Sequence, residues 1–354
     1  MRLLAFAAIG FASLATACAD PDVETSADYD LTQTATLRFK ATDGEISLTV
    51  SGKKHSCVER FEGVDGERLT CTRDADEVEV LVKASGDRVM AVRNAGGERG
   101  YYDCQVGEDR VEGLPALMKC KQTGIGISDN GGLSSPFLSS VDGIGVPNTH
   151  WLDEEAGVLR GMEPRKAEQY DELRAAGVER VLIFKNATNS GVEQEIATWD
   201  LPEGDLLHVP FHWKDYEDFT TPCEQTVEAL RFMREGVEAE RMTYFHCTVG
   251  EDRTGYLAAL YSLLFHGADA RRAFELDMCE HGYADGNPQK PSFVIGKLRQ
   301  GLTPLYREMA YLVREGLLTE ELDASVCADE PEVAEDFLAE TLSCGTSTTL
   351  LPSP

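Results

Sequence analysis

His246-Cys247-Thr248-Val249-Gly250-Glu251-Asp252-Arg253-Thr254-Gly255 decides how the rest of the chain is read. A short apolar run, Met242 to Phe245, leads into it. A longer one, Thr254 to His266, leads out and is stopped by Gly267. Strand, tight turn and helix in that order place the turn at the carboxyl end of a sheet strand, where α/β folds bind ligands. Amides of such a turn converge, and the helix N-terminus adds partial positive charge. Both favour a bound anion, and both favour a thiolate at Cys247. Arg253 follows Cys247 after five residues and supplies a planar fork suited to two oxygens of a phosphate. Gly250 permits a backbone angle that other residues resist.

Outward from this stretch, residues 148–318 read as an α/β domain with a central, mostly parallel sheet flanked by helices. Val181-Leu182-Ile183-Phe184 is a continuous apolar run, as expected of a buried parallel strand. Leu206 to Phe211 is a second strand. Pro164 opens a helix with Tyr170 and Leu173 on one face, closed by Gly177. Thr221-Pro222-Cys223-Glu224 reads as a capping box with Pro at the first helical position. The helix behind it carries Val227, Leu230, Met233 and Val237.

Residues 34–122 have a different texture. Leu37, Phe39 and Ala41 alternate with polar residues, as do Ile46, Leu48 and Val50, then Val78, Val80 and Val82. Asp43-Gly44, Ser51-Gly52, Asp65-Gly66, Ser85-Gly86 and Gly96-Gly97 punctuate them as turns. A small antiparallel β domain therefore precedes the α/β domain. Residues 123–147 are rich in Gly, Ser and Asn and read as a linker. Residues 319–354, acidic and then rich in Ser and Thr, read as a mobile C-terminal tail.

At the other end, Met1-Arg2, an apolar run from Leu3 to Leu14 and Ala15-Thr16-Ala17-Cys18 form the pattern of a secretory signal peptide over residues 1–17. Leu14-Ala15-Thr16-Ala17-Cys18 resembles a bacterial lipoprotein signal, with Cys18 as the lipidated residue. The rival reading is an ordinary cut after Ala17. Residues 18–33 are then an acidic tether. The expectation is an exported chain, lipid-anchored to a bacterial membrane and facing the periplasm or exterior, or secreted. The chain has ten cysteines. With Cys18 and Cys247 set aside, eight remain, which in an exported protein points to disulfides. Cys57, Cys71, Cys104 and Cys120 lie early; Cys223, Cys279, Cys327 and Cys344 lie late. Two hairpin-closing bridges, Cys57 to Cys71 and Cys104 to Cys120, are the simplest early pairing among three connectivities. Zinc is the alternative, but no Cys-x-x-Cys pair occurs. A net charge of −29 argues against a nucleic-acid partner, whose phosphates it would repel.

The His-Cys-x-x-Gly-x-x-Arg-Thr-Gly stretch resembles the active-site loop of the cysteine-based protein tyrosine phosphatases, over about residues 148–315. The resemblance implies that Cys247 attacks phosphorus without metal or cofactor. Thr248, Val249, Gly250, Glu251, Asp252 and Arg253 then cradle the phosphate, Thr254 helps release the phosphocysteine, and His246 braces the loop. Trp213-Lys214-Asp215 resembles the family's Trp-Pro-Asp loop, with Lys in place of Pro, and makes Asp215 the general acid; Asp218 is the second candidate. Arg160-Gly161-Met162-Glu163-Pro164 resembles the family's Arg-Ser-x-x-Pro segment, which gives Arg160 a structural role. Glu251 is expected at the mouth of the cradle, where it disfavours multiply phosphorylated inositols. His208 and His212 are four apart and read as polar packing before a metal pair. The function implied is a tyrosine or dual-specificity phosphatase acting on phosphorylated protein or a small phosphomonoester. The alternatives are a secreted inositol-polyphosphate or phosphoinositide phosphatase and, without catalysis, a phospho-ligand binding module. The partner of the β domain is unknown.

Overall fold

A computed structural model describes residues 34–123 apart from 43, 64–65, 84–88 and 96–97, residue 135, residues 137–338 apart from 187–190, 213–215, 288–289 and 291, and residues 342–349. The expected leader, the tether, Cys18 and Asp215 lie outside the described residues.

The N-terminal strands are β1 (Thr34–Thr42), β2 (Glu45–Val50), β3 (Lys53–Gly63), β4 (Gly66–Arg73), β5 (Asp76–Lys83), β6 (Val89–Ala95) and β7 (Glu98–Val106). After them come a two-residue pair, β8 (Arg110–Val111) and β9 (Leu114–Pro115), and then β10 (Leu117–Thr123). Each long strand pairs antiparallel with the next, β7 pairs with β10, and β10 returns to β1, so eight strands form a closed ring. Alternation sends Leu37, Phe39, Leu48, Leu69, Val78 and Val80 into one shared core, as the sequence pattern requires. Cys57–Cys71 and Cys104–Cys120 are both bridged, each between directly paired residues.

The second unit begins with β11 (His150–Asp153) and β12 (Val158–Met162). It continues through α1 (Ala167–Ala175), β13 (Arg180–Phe184), α2 (Gly191–Trp199), β14 (Leu206–Val209), α3 (Thr220–Glu238), β15 (Thr243–Cys247) and α4 (Asp252–Phe265). Its sheet order is β11-β12-β15-β13-β14. Four strands are parallel and the edge strand β11 is antiparallel, so the sheet is mixed. Val181 and Ile183 face α1 and α2 together with Tyr170, Leu173 and Trp199. Leu182, Phe184 and Phe245 face α3 and α4. Both faces are covered, which is why these strands read as unbroken apolar runs.

Three expectations are corrected. Thr221 does not cap α3: the helix starts at Thr220, and the Asp218 carboxylate accepts the Thr221 N–H at 2.7 Å. The segment read as linker is packed at its C-terminal end, where Ile144 and Val146 join the core beneath α1. The region read as a tail is not mobile over its described part. After α5 (Ala270–Ala273), α6 (Ser292–Gln300) and α7 (Leu302–Arg314), the residues Leu318, Leu322, Phe337 and Leu342 are buried in the α3–α7 core. Cys223–Cys327 and Cys279–Cys344 staple this segment. A last strand, β16 (Thr346–Thr349), then pairs with β3 over Glu59 to Glu62, beyond the stretch of β3 that β2 covers. Among the described residues, no helix is long and apolar enough to cross a membrane.

Candidate active site

Cys247 is the last residue of β15, and α4 begins five residues later, so the intervening loop must turn within one helical diameter. Gly250 makes the turn at φ +72°. A Cβ there would lie 2.5 Å from the carbonyl group of Gly161, so the position excludes side chains on two grounds. The loop's carbonyls are turned outward to donors. Gly250 O accepts from Asn148 Nδ2 at 3.0 Å and from Arg160 Nη2 at 3.3 Å. Cys247 O contacts His246 Nδ1 at 3.0 Å, and Glu251 O takes the Gly255 N–H at 2.8 Å to start the helix. With the carbonyls held outside, the amides are left for the concave side, an anion-binding arrangement.

The thiol of Cys247 is 1 % exposed. Burial alone would raise its pKa; the Arg253 guanidinium and the Thr254 hydroxyl outweigh burial and pull it below the ordinary value. Thr254 Oγ accepts the Cys247 N–H at 2.8 Å, which leaves its own proton free to point at sulfur. Arg253 is fixed in turn. Its Nη1 donates to Asn186 Oδ1 at 2.7 Å and to Phe211 O at 3.1 Å, and Nη2 donates to Thr248 Oγ at 3.1 Å. A guanidinium held on three acceptors arrives pre-oriented for a phosphate.

His246, expected to brace the loop, is buried behind it. Its Nε2 is 2.8 Å from the Glu195 carboxylate on α2. Lys185 Nζ lies 3.1 Å from the other Glu195 oxygen and 2.6 Å from Glu163. Burial by itself would raise Glu195; the His246 and Lys185 cations hold it down at about 2. Burial would also lower His246, but the facing Glu195 pushes it up. The ring thus has a carboxylate facing Nε2 and a carbonyl facing Nδ1, surroundings that favour its protonated form. Arg160, also fully buried, is pulled down by burial to about 10 and stays charged at neutral pH.

Glu251 does not stand at the mouth of the cradle, where the sequence placed it. Glu251 is 2 % exposed and faces away from the mouth. Its carboxylate accepts from Asn287 Nδ2 at 3.1 Å and lies 3.1 Å from Lys290 Nζ. Asp252 Oδ1 is 2.5 Å from the same ammonium and accepts the Ala284 N–H at 3.1 Å. A buried carboxylate needs a counter-charge, and Lys290 supplies it to both. The repulsion of polyphosphates expected from Glu251 therefore has no geometric basis. Thr248, expected at the phosphate, spends its oxygen on Arg253. Asp218 is committed to the start of α3. His208 Nε2 contacts Lys185 O at 2.9 Å.

Four contributors escaped sequence reading: Asn186, Asn148, Glu195 and Lys290. Each is a common polar residue far along the chain from the loop, with no spacing to mark it.

Residues 160–272 match the model of a tyrosine phosphatase family. No curated protein matches the chain. Similar solved structures include the PTP-2 phosphatase of Cydia pomonella, at 19 % identity over 42 % of this chain and 86 % of that one, with a TM-score of 0.32. Another is TpbA of P. aeruginosa, at 21 % identity over 50 % and 98 %, with a TM-score of 0.33. A third is the core catalytic domain of a PP-IP phosphatase from S. cerevisiae, at 15 % identity over 44 % and 86 %, with a TM-score of 0.32.

Proposed function

We propose that the protein hydrolyses phosphomonoesters through a cysteinyl-phosphate intermediate, as a tyrosine or dual-specificity protein phosphatase. The observation that carries the reading is the buried Cys247, its pKa lowered by Arg253 and Thr254 at the start of α4. The thiolate forms a bond to phosphorus as the phosphorus–oxygen bond to the substrate breaks, and the leaving oxygen takes a proton from Asp215. Arg253 and the loop amides hold the equatorial oxygens through the transition state. Water then cleaves the sulfur–phosphorus bond, with the Thr254 hydroxyl stabilising the departing thiolate. The alternative is a secreted inositol-polyphosphate or phosphoinositide phosphatase on the same loop. Four disulfides support export to an oxidising compartment. Lipidation of Cys18 remains part of the proposal.

Hydrolysis of p-nitrophenyl phosphate by the wild-type chain, and its loss in Cys247→Ser, is the first test. Vanadate, a mimic of the five-coordinate phosphorus, should inhibit the wild type. Turnover near the wild-type rate in Cys247→Ser would place the chemistry elsewhere. A panel of phosphotyrosine, phosphoserine and inositol hexakisphosphate substrates then separates the two substrate classes.

A further inference from the structure

Among the described residues the barrel contributes none to the phosphate cradle, yet one of its outer faces is buried. Leu69, Val78 and Val80 point inward. The neighbouring positions on the same strands, Arg68, Glu79 and Leu81, point outward and are 6 %, 5 % and 0 % exposed. Lys290 and Ser292 meet them there. Arg68 Nη1 donates to Lys290 O at 3.4 Å. Glu79 accepts the Ser292 N–H at 3.1 Å and also takes the Ser292 hydroxyl. Arg68 and Glu79 are themselves paired at 3.8 Å, and the Arg68 guanidinium lies 5.0 Å over the Phe61 ring. The side chain of Lys290 runs the opposite way, to Asp252, Glu251 and, at 2.9 Å, Gly282 O. Barrel strands, one docking segment, and the residues just before Arg253 thus form a continuous polar chain.

We propose that the barrel is a positioning domain for the catalytic loop: Arg68 and Glu79 fix Lys290, and Lys290 fixes Glu251 and Asp252 and offsets part of their charge. The inference rests on the reading of Cys247 as a thiolate nucleophile. Two carboxylates inside an anion-binding loop oppose both the thiolate and the incoming phosphate. Asp252 acts on Cys247 in that sense, raising its pKa. Lys290 cancels this only while its ammonium is held within contact of both carboxylates, because the interaction falls off with distance. Burial would strip the charge from Lys290; Asp252 and Glu251 keep it on, pushing its pKa up. The barrel contact therefore sets the electrostatics of a site whose chemistry it never touches, and Lys290, Arg68 and Glu79 are positioning residues.

The experiment follows Cys247 alkylation by iodoacetamide against pH, resolved by peptide mass, alongside kcat/KM on p-nitrophenyl phosphate and thermal melting. The variants are Glu79→Gln, Arg68→Gln, Lys290→Arg, Lys290→Met and, as a surface control on β10, Lys119→Gln. The barrel variants should move the alkylation midpoint to higher pH. They should also lower kcat/KM by about three- to tenfold at acidic pH, a loss that shrinks as pH rises through the raised thiol pKa. Glu79→Gln combined with Lys290→Met should be no worse than Lys290→Met alone, since the two act in series. Lys290→Arg should restore part of the alkylation profile. If Lys290→Met fails to fold, Glu79→Gln, Arg68→Gln and Lys290→Arg carry the test. A lower melting temperature in the barrel variants with an unchanged alkylation midpoint and an unchanged pH profile would overturn the proposal and leave a merely structural contact. Shifted alkylation in the barrel variants, with a wild-type chain that hydrolyses no phosphomonoester, would uphold the coupling and remove the phosphatase reading instead.

Discussion

Asp215 and Asp218 are three residues apart, and of the two only Asp218 lies among the described residues. Asp218 accepts the Thr221 N–H at 2.7 Å and contacts the Thr221 hydroxyl at 3.4 Å, so it satisfies a helix end that no intrahelical carbonyl reaches. Asp218→Asn should cost little in kcat, and Asp218→Ala should lower stability by about 0.5–2 kcal/mol, the usual worth of such a cap. Asp215→Asn should lower kcat by roughly 10²–10⁴ on alkyl or phenyl esters, whose leaving oxygen needs a proton. The loss should shrink on activated aryl phosphates. The basic limb of the pH profile should flatten with it, because that limb records the acid losing its proton. Interchanged behaviour of the two Asn variants would assign the acid to Asp218. At this scale Cys247, Gly250, Arg253 and Thr254 were legible because their chemistry is local: one loop fixes all four. Asn186 and Asn148 were not, because each reaches the loop from another part of the chain, and a lone Asn carries no pattern. Glu251 misled for a related reason. Its sequence position put it in the cradle, and only Lys290 and Asn287, from beyond α5, decide which way a carboxylate turns.

Elements were read well where one stretch of sequence determines them and poorly where a distant partner does. The run Val181 to Phe184 announced β13, and Gly177 and Gly267 closed α1 and α4 at φ +99° and +61°. The bridges Cys57–Cys71 and Cys104–Cys120 followed from near-symmetric spacing, because antiparallel neighbours face each other directly. The strand β16 could not be read this way. Thr346 to Thr349 is a strand only because β3 continues past the end of β2 and offers unpaired backbone groups there. Cys279–Cys344 delivers it: the bridge closes a sequence separation of 65 residues and ends two residues before the strand. Gly345, between them, packs so close to Phe61 that a Cβ would meet its ring at 2.4 Å. Replacing both cysteines, Cys279→Ser with Cys344→Ser, should therefore lower stability by about 2–5 kcal/mol. It should also free β16, seen as fast amide exchange at Thr346 to Thr349 while the β4–β5 ladder stays protected. Unchanged protection of those four amides would show that strand pairing, not the bridge, holds the segment.

Charge is arranged across the whole molecule in two layers. The net charge is −29, but four buried cations, Arg160, Lys185, Arg253 and Lys290, lie in or behind the loop together with His246. Each inner cation is committed: Lys185 to Glu163 and Glu195, Lys290 to Glu251 and Asp252, Arg160 to Gly250 O. The acidic shell is screened by salt over about 8–10 Å at physiological ionic strength, whereas the inner layer is short-ranged and shielded from it. Approach and chemistry should therefore respond differently to salt. For a small dianion such as p-nitrophenyl phosphate, kcat/KM should rise by about two- to fivefold between low and physiological salt, as long-range repulsion is screened. The value of kcat itself should barely move. A phosphopeptide flanked by Lys and Arg should show the opposite slope, because the same shell attracts it, and at low salt it should be used better than an acidic peptide of equal length. The measurement is kcat/KM against ionic strength for the three substrates. Parallel slopes for the basic and acidic peptides would mean that the shell does not steer substrate, and the preference would then have to come from contacts at the mouth of the cradle.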